Sequence, residues 1–327
     1  MRTYEFRTLT PEDISAMERL LMARQNREAE TFPYQKNSCL HEERIGERLR
    51  HFLTKDKAIG MGAFVNGELA GYILGLIRID TRSGRCVITP YEGVAIRGGQ
   101  PAELIRHLYA EAAPFWLEHG CYSHSAYVPL ANSIYYDAFL GLSFGIEQVH
   151  AVLEIGEYKP FEGLADVKIR LAGAQDQDTM GRLSSVISNY QNQAPDIGEG
   201  FRELLGDEGS LVLLAEAKGE ALGFQVYRSI GPALMVPDSA VELCVAGTLR
   251  RFMGRGVGKG LMNAGISLMK DKGYRYITTD WRITNLASST FWPKCGFRPM
   301  AYRMHRFIDP NYAWANVNNP MNQEVQP

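Results

Sequence analysis

The sequence predicts an α/β protein whose fold is written twice along one chain of 327 residues. Three observations carry this reading. Gly67-Glu68-Leu69-Ala70-Gly71-Tyr72 returns as Gly219-Glu220-Ala221-Leu222-Gly223-Phe224, 152 positions later. Gly120, Asn132 and Phe144 each meet an identical residue 153 positions on, at Gly273, Asn285 and Phe297. The order of strand-like and helix-like stretches around these landmarks is also the same in both halves, as a duplicated unit requires. A chain this long is comfortable as two domains. The halves are placed at 1–156 and 167–309, with a linker at 157–166 and a polar tail at 310–327.

In the first half, Tyr4 to Thr8 reads as a short strand, and Thr10-Pro11-Glu12-Asp13 as a capped helix start. Two helical patterns follow to about Thr54, separated at Thr31-Phe32-Pro33. Ala58 to Val65 and Glu68 to Arg78 flank Asn66-Gly67, the dipeptide whose positive φ angles match the twist of a hairpin. Cys86 to Ile96 is a strand candidate. Gly98-Gly99-Gln100-Pro101 then opens a helix with Leu104, Leu108 and Phe115 on its apolar face, closing at His119-Gly120. Cys121 to Val128 reads as a strand, Asn132 starts a short helix, and a last strand runs from Phe144 to Ile155.

The second half repeats this order. Val167 to Leu171 is a strand, Gln175-Asp176 starts a helix towards Tyr190, and Gly198 to Leu205 is a weaker one. Leu211 to Ala217 and Glu220 to Tyr227 form the matching hairpin around Lys218-Gly219. Next comes the stretch that the half is organised around. The apolar run Val241 to Ala246 leads into Met253-Gly254-Arg255-Gly256-Val257-Gly258-Lys259-Gly260, followed by a helix with Val257, Leu261, Ala264 and Leu268 on one face. Tyr274 to Trp281, a helix from about Leu286, and a strand from Pro299 to Phe307 complete it.

A strand, a glycine turn and a helix opening gather backbone N–H groups that lack partners and carry partial positive charge, a setting that suits phosphate. Two familiar phosphate motifs fail here. A P-loop would need glycine at Met253 and a hydroxyl at Gly260, and a dinucleotide fingerprint would need glycine at Lys259, Leu261 or Asn263. What Met253 to Gly258 resembles is the acyl-CoA loop of the GNAT superfamily of N-acetyltransferases, Gln/Arg-x-x-Gly-x-Gly/Ala. Met253 stands where Arg or Gln is usual. The preceding Gly247-Thr248-Leu249-Arg250-Arg251-Phe252 is similar to the family's Gly-Thr-Leu-Pro-Glu-Tyr. Downstream, Asn285 to Phe297 is similar to the closing motif Asn-x-x-Ala-x-x-x-Tyr-x-x-x-Gly-Phe, with Asn285, Gly296 and Phe297 in place, Ser288 for alanine and Trp292 for tyrosine.

The resemblance implies two tandem domains, each a central mixed, mostly antiparallel sheet flanked by helices. It also implies acetyl-CoA as co-substrate and transfer of its acetyl group to a primary amine, expected on a small molecule. Diphosphate contacts are expected from Met253, Gly254, Arg255, Gly256, Val257, Gly258 and Lys259, although solvated surface cations are the commoner use of residues such as Arg255 and Lys259. Thioester polarisation maps to backbone N–H groups of Ala246, Gly247 and Thr248. Pantetheine contact maps to Asn285, for which a helix N-cap is an equal reading.

Removing a proton from an ammonium calls for a carboxylate. Glu242 matches the family's strand-borne glutamate, Asp280 at the end of the next strand is its rival, and His305 is a weaker candidate. Trp292 occupies the place of a thiolate-protonating tyrosine, and an indole N–H only donates a hydrogen bond. A core aromatic is the other reading of that residue. The proton then falls to the substrate ammonium, a water, or a hydroxyl such as Ser288 or Tyr302. The first half has no comparable glycine loop, so one acyl-CoA per chain is expected, in the second half.

Composition excludes other classes. A formal net charge of -2 supplies no cationic excess for nucleic acid. The cysteines, Cys39, Cys86, Cys121, Cys244 and Cys295, are odd in number and widely spaced, which reads as reduced thiols and not a disulfide frame or zinc site. No apolar run approaches the roughly 18 residues of a membrane span, and no apolar stretch follows the first charges as in a secretion signal. The expectation is a cytoplasmic protein, monomeric or homodimeric, with no metal. A non-catalytic CoA-binding protein and a protein N-terminal or lysine acetyltransferase are the alternatives.

Overall fold

A computed structural model describes residues 4–36, 42–55, 58–80, 84–162, 167–183, 209–231 and 233–311. It divides into two compact units, 1–147 with 300–327, and 148–299.

The first unit opens with β1 (Glu5–Thr8), a 3-10 turn, and α1 (Ile14–Thr31), followed by α2 (Glu42–Lys55). Between the helices the Thr31-Phe32-Pro33 break becomes a short 3-10 turn at Pro33–Lys36. The strands β2 (Ala58–Val65) and β3 (Glu68–Asp80) pair through Asn66 and Gly67, with φ of 52° and 79°. The stretch expected as one strand is two, β4 (Gly84–Thr89) and β5 (Val94–Ile96), both paired with β3. Pro90 has no N–H to donate, and a 3-10 turn at Tyr91–Gly93 interrupts the strand.

The helix α3 (Ala102–Glu118) is capped by Pro101, not by the glycines before it. Its buried face is Leu104, Ile105, Leu108, Ala112 and Trp116, while Phe115, expected inside, is exposed. After Gly120 at φ 72° the chain enters β6 (Ser123–Pro129) and α4 (Ser133–Gly141), whose N-cap Asn132 accepts from Ile134 N–H. The sheet order is β1-β2-β3-β4-β6 and then β13 (Arg298–Phe307), with β4 and β6 parallel and the other described pairs antiparallel.

The second unit begins in β7 (Gly145–Glu154) and continues through β8 (Lys168–Leu171), α5 (Gln177–Leu183), β9 (Ser210–Ala217) and β10 (Glu220–Ser229). Then come β11 (Ala240–Thr248), α6 (Val257–Asp271), β12 (Tyr276–Arg282) and α7 (Leu286–Lys294). The helices expected at 184–190 and 198–205, the tail beyond 311 and Cys39 lie outside the described residues. The sheet order, β8-β9-β10-β11-β12-β7, repeats that of the first unit, with only β11 and β12 parallel among the described pairs. Lys218 and Gly219 form the second hairpin turn with φ of 51° and 77°.

Each unit therefore closes with a strand from the other half of the sequence: 300–307 beside β6, and 148–154 beside β12. The chain-order domains 1–156 and 167–309 stay a proposal about the repeat in sequence. Compactness cuts the chain differently, because strands close a sheet by edge pairing wherever they come from.

One local device is built twice. Arg7 donates to both oxygens of Asp13, and Asp13 accepts from Thr10 N–H at 3.0 Å. Arg170 does the same to Asp176, which accepts from Gly173 N–H at 2.8 Å. In each unit the pair ties a strand, β1 or β8, to the turn that opens the next helix, and the guanidinium holds the aspartate below its usual range.

Candidate functional site

The glycine stretch of the second unit folds as a cradle. Gly254 and Gly256 adopt φ of 74° and 86°, and Gly256 is the N-cap of α6. The first α6 bond runs from Gly260 N–H to the Gly256 carbonyl at 2.9 Å, so the N–H groups of Val257, Gly258 and Lys259 precede the helical ladder. A Cβ on Gly254 would meet nothing within 4 Å, and one on Gly258 would stand 3.1 Å from the Phe291 ring. Room and donors for a diphosphate coincide here.

From this cradle a cavity of about 1060 Å³ runs between β11 and β12. Its geometry comes from a splay. The parallel pairing of β11 with β12 ends at Leu243 and Thr279, where the Thr279 hydroxyl donates to the Leu243 carbonyl at 2.8 Å. At that level β11 carries an extra residue, Cys244, against β10, which sharpens its bend. Leu249 N–H donates to the Leu222 carbonyl on β10. The alternation of a strand then sends the N–H groups of Thr248 and Ala246 to the opposite, splayed side. The residues expected to polarise a carbonyl thus sit where the sheet has opened.

The other sequence-derived residues distribute as follows. Gly247, Met253, Gly254, Gly256, Val257, Gly258 and Lys259 line the cavity, as do Asp280, Asn285, Ser288 and Trp292. Arg255 is exposed, with its guanidinium 5.8 Å from the Phe252 ring centre, and is not in the wall. Glu242 is half-buried on β11 opposite Arg228 and is not in the wall either; burial raises its pKa against the pull of Arg228. Asn285 is the N-cap of α7, accepting from Ser288 N–H at 3.2 Å. Trp292 is buried between Phe291 and Phe297, with ring centres 4.9 and 5.5 Å away.

His305 and Tyr302 belong to the first unit, where His305 bonds Ser123 at 2.9 Å and Tyr302 packs on Tyr136. Neither is in the cavity wall. The helix α6 is also turned from its expected face: Leu261, Met262, Gly265 and Met269 are buried, and Ala264 and Leu268 only half so.

Sequence reasoning missed several wall residues. Cys244, at the bulge, has its thiol pushed up to about 11 by burial, and its Sγ lies 3.5 Å from the Val226 carbonyl. The supposed linker supplies Phe161, whose backbone N–H and C=O both bond the Asn263 amide of α6, with Lys259 Nζ 4.7 Å from its ring centre. Gln225 on β10 also lines the cavity; the visible signal was a lone amide in an apolar strand. Among the described residues no group of three or more His, Cys, Asp or Glu side chains is placed to hold a metal. No described helix is long and apolar enough to cross a membrane.

Residues 180–297 match the model of the acetyltransferase (GNAT) family. The second unit carries a GNAT domain. Solved structures agree on the fold. A GCN5-related N-acetyltransferase from Sphaerobacter thermophilus is 13% identical, with 92% of this chain and 94% of that one covered, at a TM-score of 0.59. A GCN5-related glucosamine N-acetyltransferase region in a fungal multi-domain GH3 β-N-acetylglucosaminidase is 12% identical at 0.57, and 94% of this chain covers 38% of that protein. A tandem GNAT protein from the clavulanic acid biosynthesis pathway is 14% identical at 0.50, with 93% and 97% covered. No curated protein matches the chain by sequence.

Proposed function

We propose that the second unit binds acyl-CoA and transfers acetyl to a primary amine on a small molecule. The observation that carries this reading is the continuity of one cavity from the glycine cradle at the α6 N-terminus to the splay of β11 and β12. The N–H groups of 257–259 hold a diphosphate, with Lys259 adding charge. Bound acetyl-CoA supplies an acetyl group activated as a thioester. Ala246 and Thr248 N–H groups stabilise oxyanion character at its carbonyl, an effect typically worth about 3–4 kcal/mol for one donor.

Asp280, in the wall, takes the ammonium proton; Glu242, outside it, acts through Asp280 or a water. The indole of Trp292 supplies no proton, so the departing thiolate takes one from the substrate ammonium, from water or from Ser288. The same indole favours a second reading, a CoA-binding protein without turnover.

Thiol release from acetyl-CoA, assayed with a panel of small primary amines and lysine peptides, separates these. Release with small amines is expected. Tight acetyl-CoA binding with no release for any amine would leave the non-catalytic reading, and release with peptides alone would move the acceptor to proteins.

A further inference from the structure

Within β10 the run Leu222 to Tyr227 is apolar except for the Gln225 amide and the Tyr227 hydroxyl. Both residues are closed off from solvent, Gln225 at 1% exposure and Tyr227 at 0%. Two positions apart on a strand, they share one face, and that face meets α6. A Cβ on Gly265 would collide with the Tyr227 hydroxyl oxygen, so any other residue at 265 would drive the hydroxyl out. A glycine inside a helix costs stability, and here it makes room for one oxygen atom.

That oxygen holds a neighbouring amide in place. The Tyr227 hydroxyl donates to Gln225 Oε1 at 2.8 Å. With Oε1 held, the two N–H bonds of Nε2 point elsewhere. The Gln225 side chain makes no other hydrogen bond among the described residues, and it lines the cavity. It lies in register with Ala246, whose N–H faces the splay. Nε2 is not among the fully buried unpaired polar atoms, so it opens on the cavity, where a ligand carbonyl can accept its hydrogen.

We propose that Gln225 Nε2 is a binding group for a carbonyl oxygen on the acyl-pantetheine arm, with Tyr227 and Gly265 as its positioning residues. The inference rests on the reading that this cavity takes acyl-CoA. The carbonyl belongs either to the acyl group or to a pantetheine amide, and the two are distinguished by ligand.

The test is calorimetry on the full chain with acetyl-CoA and with CoA, for wild type, Gln225→Leu and Tyr227→Phe. Gln225→Leu is expected to weaken acetyl-CoA binding about tenfold or more, and Tyr227→Phe about threefold. A loss confined to acetyl-CoA assigns the acyl carbonyl, and an equal loss with CoA assigns the pantetheine. A folded Gln225→Leu that binds both ligands like wild type, with only its melting temperature lowered, overturns the proposal. If that variant does not fold, Tyr227→Phe decides, and unchanged affinity overturns it. A wild-type chain that binds neither ligand overturns the proposed function and this inference together.

Discussion

The groove beside the interrupted strand is filled from within in the first unit and open in the second. In the first, Arg24, 1% exposed, donates to the carbonyls of Tyr91 and Val94 at 2.8 and 2.6 Å, and pairs with Glu28 at 2.9 Å. Tyr91 in turn donates to Glu28 at 2.5 Å. Tyr135 takes up the N–H of Ile96 at 3.3 Å. That N–H is on the side opposite to Arg97 N–H, which bonds β3, and so corresponds to the splay-facing donors of Ala246 and Thr248. Tyr135 stands 153 positions before Ser288, a residue too small to plug anything. At the helix start, Pro101 and a buried Gln100 bonded to Tyr4 replace the glycine cradle. One unit thus satisfies its interrupted strand with its own side chains, and in the other the corresponding residues line an open cavity.

The comparison breaks if both grooves bind. One acetyl-CoA per chain is expected by calorimetry, and Gly258→Asp should leave no detectable binding, because its side chain meets Phe291 and its charge opposes the diphosphate. Gly256→Asp adds a left-handed backbone that L residues resist. A titration with two equal sites would refute the distinction. The plug itself is tested by Arg24→Ala, which should cost about 3–5 kcal/mol in denaturant unfolding by stranding Glu28, while leaving acetyl-CoA affinity in the folded protein unchanged.

Two carboxylates are to be sorted, Asp280 in the wall of the open groove and Glu242 outside it. Asp280→Asn should lower kcat/KM about 100-fold or more, and Glu242→Gln less than about tenfold. Because burial raises the pKa of Glu242, its ionised form is disfavoured in the fold, and stability is lost as pH rises from the unfolded pKa through the folded one. Glu242→Gln should therefore raise the melting temperature at neutral pH and not at pH 3. A drop instead would mean that Arg228 dominates.

Trp292→Phe should keep turnover within about tenfold, and its cost of about 1 kcal/mol or more should appear in stability, since the indole is packed by two rings. A folded variant slower by over 100-fold would place the indole in the chemistry.

The last effect concerns what the units share. Asp13→Asn and Asp176→Asn should each cost about 1–3 kcal/mol. Both aspartates are held below their usual range, so this stability is present above the ordinary carboxylate pKa and lost as pH falls through the lowered one. Acid titration of the melting temperature should therefore be flatter in both variants. Unequal losses would mean that the additional Glu216 contact of Arg170 carries the second pair.

The sequence by itself determined what is local. Asn66-Gly67 and Lys218-Gly219 set their hairpins because those positions need positive φ, Asn132 and Asn285 cap their helices, and Gly254 and Gly256 shape the cradle. These outcomes depend on a residue and its immediate neighbours.

Tertiary structure alone decided the rest. Which half supplies each closing strand, the turn of α6 about Gly265, the filling of the first groove by Arg24, and the exclusion of Glu242 from the wall all depend on residues distant in sequence. His305 and Tyr302 read as neighbours of the glycine loop in the second half, yet their strand lies in the other unit's sheet. Edge pairing and burial are set by which surfaces meet in space, and periodicity along the chain carries no record of the partner.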